Sequence, residues 1–186
     1  MFKISAKKNF VFDVEDYILY VLNKIEPDKS DKLKLNKVLF FVEFAYIFFK
    51  DYPLSKADYA AIPNGPAVDQ YGQVFRSMEE AGKIKIEGYT VRPLKDPASS
   101  PPEEIASFID PLIKKYASLT NSELIDLSHS TDSFMITSDN GRQYGKIIDK
   151  DLAYLETFFQ DSETERVNEE KLPKIDISEV IRYGSR

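Results

Sequence analysis

Apolar positions in the first third of the chain follow the spacing of helices. Residues 14–25 carry apolar side chains three or four positions apart, and Asp13 is the candidate N-cap of this first helix. A second helix, capped by Ser30 or Asp31, is expected to run to about Lys50 and is apolar on nearly all of its sides. A helix of that kind is normally buried at the centre of a fold.

Turn residues mark the middle of the chain. Residues 55–65 are expected to be irregular or extended, and they end in a Pro-Asn-Gly-Pro corner. Pro66 is expected to be the first residue of a third helix, because proline fits that position. This helix carries Val68 on its apolar face and is followed by Gly82, a suitable residue just beyond a helix end.

Alternating apolar and polar residues over 83–92 predict a β-hairpin. The expected turn is Glu87-Gly88, which pairs Ile86 with Tyr89. In that register the apolar side chains of the hairpin share one face, which would lie on the helices.

The rest of the chain is predicted to be helical up to an acidic tail. The expected elements are a helix over 103–118, a capping box at Thr120 and Glu123 that opens a short helix to about Ser130, a long loop over 131–145 and a last helix from about Asp149. The predicted fold class is therefore mostly α, a compact helical domain of residues 1–161 with one small β-hairpin at about 83–92. Residues 162–186 are expected to form an acidic, weakly anchored C-terminal tail.

Composition narrows the possible functions. The chain has 186 residues and no cysteine, which excludes disulfides, thiolate metal sites and cysteine nucleophiles. The longest apolar stretch, 38–49, is interrupted by Glu43 and is shorter than the ~20 residues that span a membrane. The first ten residues lack the apolar stretch of a secretory signal. We therefore expect a cytoplasmic protein that has no membrane contact and needs no cofactor.

His129 is the only histidine and the main candidate for acid–base catalysis. A triad would use Ser128 or Ser130 as the nucleophile, but these are sequence neighbours whose side chains diverge. The simpler interpretation is that His129 bonds a nearby backbone or carboxylate group. A hydrolase that uses His129 or Glu43 is one alternative function, but the residues favour a protein that is not an enzyme.

A second alternative is a DNA-binding transcriptional regulator. A helix at 67–81 followed directly by the hairpin at 83–92 is similar to a winged helix, with Lys83, Lys85 and Arg92 on the wing. The helix carries three acidic residues and one basic residue, namely Asp69, Glu79, Glu80 and Arg76. An acidic helix and a chain with a net charge of −6 weigh against binding to nucleic-acid phosphates.

One series of residues occurs in the order found in a known family. That family shows a lysine- and leucine-containing aromatic helix, a Gly-Pro corner and a later Leu-Ser-His element. The matching positions are Lys34, Leu35, Lys37, Leu39, Tyr59, Gly65, Pro66, Tyr71, Phe75, Leu127, Ser128 and His129. Through these residues the chain resembles the SocA-like antitoxin family, also called the Panacea domain, which is related to the phage-associated protein GepA. Phe134 stands where the family usually has tryptophan.

The resemblance implies a function as well as a fold. Members are compact, mostly helical antitoxins that neutralise a toxin encoded beside them by direct protein–protein binding. The implied partner is thus a cognate protein toxin and, where the antitoxin acts as a protease adaptor, also a bacterial AAA+ protease. The matching residues are implied to be structural or partner-binding, with no catalytic, cofactor or metal role.

Overall fold

The computed structural model describes residues 10–160, and its central element is the helix α2 (Lys32–Lys50). Every residue from Lys34 to Ile47 is buried, as expected for a helix that is apolar on nearly all sides. The Asp31 carboxylate accepts the backbone N–H of Lys34 at 2.8 Å. Of the two predicted N-caps, Asp31 is therefore the one that is used.

Helices cover α2 on several sides. The other helices are α1 (Val14–Lys24), α3 (Tyr71–Glu80), α4 (Glu103–Ala117), α5 (Asn121–His129) and α6 (Asp132–Thr137), with short 3₁₀ helices at Pro27–Lys29 and Lys150–Leu155. Of these, α1, α4, α5 and the 3₁₀ helix at Lys150–Leu155 pack directly on α2. Phe41 of α2, for example, stacks on Tyr116 of α4 with ring centroids 4.5 Å apart. The bounds of α1, α2 and α4 agree closely with the sequence predictions.

Two small antiparallel sheets complete the described part of the chain. The strands are β1 (Tyr59–Ile62), β2 (Gly65–Val68), β3 (Ile84–Glu87), β4 (Thr90–Pro93) and β5 (Ile147–Ile148). The first sheet has the order β2-β1-β5, and β3 pairs with β4 in a hairpin. Tyr59 of β1 contacts Phe40 of α2 edge-on at 5.6 Å, so this sheet lies on the central helix. The fold is mostly α, as predicted, but it has more strands than the one hairpin that we expected.

The prediction that Pro66 begins a helix is wrong. Pro66 and Val68 belong to β2, where Pro66 pairs with Ala61 of β1. Strand β1 lies in the segment 55–65, which was expected to be irregular or extended. Helix α3 begins only at Tyr71. Proline is tolerated here because its missing N–H lies on the outer edge of the sheet and not in the ladder with β1.

The predicted register of the 83–92 hairpin is also wrong. Ile86 pairs with Val91 and Glu87 with Thr90, so the turn is formed by Gly88 and Tyr89. Gly88 has a φ of 63°, a conformation that glycine adopts without steric cost. As a result Tyr89 leaves the apolar face and is 83% exposed.

The stretch predicted as a long loop, 131–145, contains α6. Its first turn is capped from a distance by Glu156, which accepts the backbone N–H groups of Asp132 at 2.9 Å and Ser133 at 3.0 Å. The helix predicted from Asp149 is instead the 3₁₀ helix, and residues 157–160 are helical beyond it. The acidic tail, 162–186, lies outside the described residues and stays a prediction.

Candidate functional site

Residues from three distant parts of the chain meet at the Gly65-Pro66 corner. Gly65 has a φ of 88°, and a Cβ atom built on it would overlap the Ser128 hydroxyl oxygen of α5. The same atom would lie 3.1 Å from the Lys37 ammonium nitrogen of α2. Both the backbone conformation and the space around it therefore require glycine at position 65. We call Lys37, Gly65, Pro66 and Ser128 the buried corner.

Two consecutive side chains of α2 cover the outer edge of β2. The Lys37 ammonium group donates to the Pro66 carbonyl oxygen at 2.8 Å, and the Asn36 side-chain oxygen accepts the Val68 backbone N–H at 2.9 Å. Alternate residues of a strand point their backbone groups to the same side, so these two groups face away from β1. Helix α2 thus supplies hydrogen-bond partners for backbone groups at the outer edge of β2, which would otherwise be buried without partners.

Lys37 is an unusual lysine because its side chain is buried. The residue is 1% exposed, and burial lowers the pKa of the ammonium group to about 7. Among residues 10–160 its ammonium nitrogen has one hydrogen-bond acceptor, the Pro66 carbonyl, and no carboxylate partner. The charged form is therefore only partly compensated in the fold.

The His129 side chain ties α5 to the segment just before the corner. Its Nε2 atom lies 3.1 Å from the Pro63 carbonyl oxygen, and its ring stacks on Phe134 with centroids 4.9 Å apart. Because a carbonyl only accepts, Nε2 carries the proton in this hydrogen bond. The sequence interpretation, that His129 bonds a nearby backbone group, agrees with this geometry.

The same contacts do not form a nucleophile–base pair. The Ser128 hydroxyl donates to the Ile125 carbonyl oxygen at 2.9 Å, one turn back in α5. Within the part of the chain that the structure describes, no hydrogen bond joins Ser128 to His129. The arrangement can hold α5 against the corner, and it lacks the proton relay of a serine hydrolase.

The remaining family-motif residues lie in the core or at helix ends. Lys34 donates from its ammonium group to the Ala117 carbonyl oxygen at 3.1 Å and to that of Leu119, at the C-terminus of α4. A cation there satisfies free carbonyls and opposes the negative end of the helix dipole. Buried motif residues are Leu35, Leu39, Tyr59 and Phe75, while Tyr71 and Leu127 are half-buried.

Glu43, for which no partner was apparent from the sequence, is fully buried. Its carboxylate accepts from the Ser55 hydroxyl at 2.6 Å and from the Lys150 ammonium group at 2.9 Å. Burial raises the pKa of Glu43, and Lys150 and Ser55 oppose that shift. An acid that interrupts an apolar helix was a signal of a buried partner. The partner itself lies too far along the chain to be recognised from the pattern.

A groove of about 970 Å³ opens beside the buried corner. It lies between the first turns of α2, strands β1 and β2, helix α3 and the β3–β4 hairpin. Sequence reasoning missed it, because its walls come from five separate elements, the hairpin counted as one, and no single segment carries a signal for it.

The cations proposed for a DNA-binding wing are engaged with carboxylates. Lys83 pairs with Glu15 of α1, and Lys85 pairs with Glu87 at 2.6 Å. Arg92 lies 3.5 Å from the same Glu87. These ion pairs reduce the positive charge that the hairpin can offer to phosphates.

Residues 10–160 lack two further classes of site. No group of three or more His, Asp or Glu side chains in that range is placed to hold a metal ion. None of the helices in the same range is both long and apolar enough to span a bilayer.

A family model described as "Antitoxin SocA-like, Panacea domain" matches residues 35–133, which is more than half of the chain. The chain therefore belongs to this family. A search of curated proteins and a search of solved structures found no match. The family suggests a non-enzymatic role and implies a toxin as the partner.

Proposed function

We propose that this protein is the antitoxin of a toxin–antitoxin system and neutralises the toxin encoded beside it by direct binding. The observation that carries the proposal is the match to an antitoxin family over residues 35–133. That range includes the whole buried corner and most of the central helix, so both lie in the part of the chain that matches the family.

The chemistry of the corner supports action by binding. Ser128 and His129 both donate to backbone carbonyls, and Lys37 donates to Pro66. These polar groups are used to hold the fold together. A protein of this kind acts through its surface, and a stable complex with a toxin would bury about 1,200–2,000 Å² in total.

Neutralisation can take two forms that use the same complex. The antitoxin can occupy the toxin's active surface, or it can deliver the bound toxin to a AAA+ protease as an adaptor. In both forms it would act in the cytoplasm. The two differ in the fate of the toxin, which persists in the first form and is degraded in the second.

The test is to co-express the full chain with a tagged copy of the neighbouring gene product and to purify the tagged protein. We expect the two proteins to elute together as a stable complex. The His129→Ala variant is the control for catalysis, and it should co-purify as well as the wild type. Failure of the wild type to co-purify would remove the proposal. The half-life of the tagged protein, in cells with and without the AAA+ protease, separates sequestration from delivery.

A further inference from the structure

The groove beside the buried corner combines an apolar floor with cations at its edge. Ala67 of β2 and Phe75 of α3 line it and are buried, which gives it a floor of carbon atoms. Lys32 of α2 and Arg76 of α3 also line it. A concave apolar surface with a few polar groups at its margin is the usual form of a binding site.

Two of the cations that line the groove have no carboxylate partner. Lys32 and Arg76 make no ion pair with any carboxylate among residues 10–160, whereas the third, Lys37, is buried and already donates to the Pro66 carbonyl oxygen. The two acids that line the groove are Asp69 and Glu79, and Glu79 already accepts the Ile86 backbone N–H at 2.8 Å. The groove therefore offers two unpaired cations, Lys32 and Arg76, on a chain whose net charge is −6. A partner segment that carries carboxylates complements it.

Tyr89 gives the groove an exposed aromatic side chain on a fixed turn. It is 83% exposed, the largest exposed fraction among the large apolar residues that the structure describes. Its backbone oxygen accepts the Lys32 N–H at 2.9 Å, which ties the hairpin turn to the start of α2. An exposed tyrosine on an anchored backbone loses little conformational entropy on binding, and tyrosine is enriched among residues that dominate protein interfaces.

We propose that this groove is the surface that binds the toxin and that it receives an apolar segment of the toxin flanked by aspartate or glutamate side chains. The inference rests on the proposed function, because it names the surface for the same partner. The apolar part of the segment lies on Ala67 and Phe75, and its carboxylates face Lys32 and Arg76. Tyr89 packs against the segment from the hairpin turn.

The test measures binding of the purified neighbouring gene product to full-length variants. K32E/R76E reverses the two cations at the groove walls, and Y89A removes the aromatic side chain. The matched controls are K95E/K114E, which changes the net charge equally at exposed positions outside the groove, and L155A, which removes an exposed apolar side chain elsewhere. Melting temperatures of all four variants should stay within about 3 °C of the wild type, since surface changes cost little.

We expect K32E/R76E and Y89A each to raise Kd by about tenfold or more, and the controls to stay within about twofold. Raising the salt concentration from about 0.05 M to about 0.5 M should weaken wild-type binding more than it weakens binding by K32E/R76E.

The outcomes separate this inference from the proposed function. If the wild type does not bind the neighbouring gene product, the proposed function itself fails. If the wild type binds and both groove variants bind equally well, the function stands and the groove is not the surface. If removal of residues 161–186 abolishes binding while K32E/R76E does not, the toxin contacts the tail and the groove assignment is overturned.

Discussion

The Lys37 ammonium group of α2 donates a hydrogen bond of 2.8 Å to the carbonyl oxygen of Pro66. Pro66 lies 29 residues further along the chain. This contact joins the central helix to the edge of the first sheet inside the protein. Its energy depends on pH because the ammonium group is buried, and that dependence makes the contact testable.

Stability should rise between pH 7 and pH 9 in the wild type relative to Lys37→Met. Burial lowers the pKa of Lys37 to about 7, whereas a lysine in the unfolded chain titrates near 10.4. Between these values the unfolded state binds more protons, so the free energy of unfolding increases with pH by at most about 1.4 kcal/mol per unit. Below pH 7 Lys37 is charged in the folded protein, so the free energy of unfolding is reduced by the full cost of burying that charge. Urea unfolding across this pH range measures the difference in the free energy of unfolding between the wild type and Lys37→Met. A difference that does not change with pH would contradict a lysine that is buried with a lowered pKa.

Gly65→Ala should destabilise the protein through backbone strain and a clash with Ser128. The left-handed φ of 88° costs a non-glycine residue about 1–2 kcal/mol, and the overlap with the Ser128 hydroxyl adds to that cost. The double variant Gly65→Ala/Ser128→Ala removes the overlap and should recover part of the loss. A double-mutant cycle by chemical unfolding measures this coupling, and strictly additive effects would show that the two residues do not meet.

Leu39→Ala should lower the free energy of unfolding by about 2–5 kcal/mol, because it opens a cavity in the core beside the middle of α2. Leu39 is fully buried, and its backbone oxygen also accepts the hydroxyl groups of Tyr17 at 2.9 Å and Tyr59 at 3.1 Å. Thermal or urea unfolding gives the value directly. A loss below about 0.5 kcal/mol would be incompatible with a central position for this helix.

Lys150→Met should destabilise the fold by about 3–5 kcal/mol, because it leaves the buried Glu43 carboxylate without its cation. Replacing both partners, as in Glu43→Leu/Lys150→Met, should be less harmful than the single change, since no buried charge then remains. Equilibrium unfolding of the two variants makes the comparison. Equal stability of Lys150→Met and the wild type would show that the ion pair is dispensable.

The sequence predicted the elements whose signals are local. The apolar pattern of α2, its Asp31 cap and the capping box of Thr120 with Glu123 all depend on residues within a few positions of each other, and all three are observed. Pro66 was misassigned because proline suits both a helix start and a strand edge. In the fold Pro66 pairs with β1 and also accepts the Lys37 ammonium group, which is distant in sequence.

The same reason explains what was missed around the candidate site. Helix α6 depends on Glu156 as a distant cap, and Glu43 depends on Lys150. The resemblance to the SocA-like family named Lys37, Gly65 and Ser128, but only the folded chain brings them together. The groove has no sequence signal, because its charge balance arises from side chains on separate elements.

The most direct test of the central claim is growth of cells that express the neighbouring gene product with and without this protein. If the chain is the cognate antitoxin, induction of the neighbour alone should arrest growth, and co-expression of the wild-type chain should restore it. His129→Ala should restore growth about as well, since the account gives His129 no catalytic role. Persistent arrest when both proteins accumulate to similar levels would contradict the account.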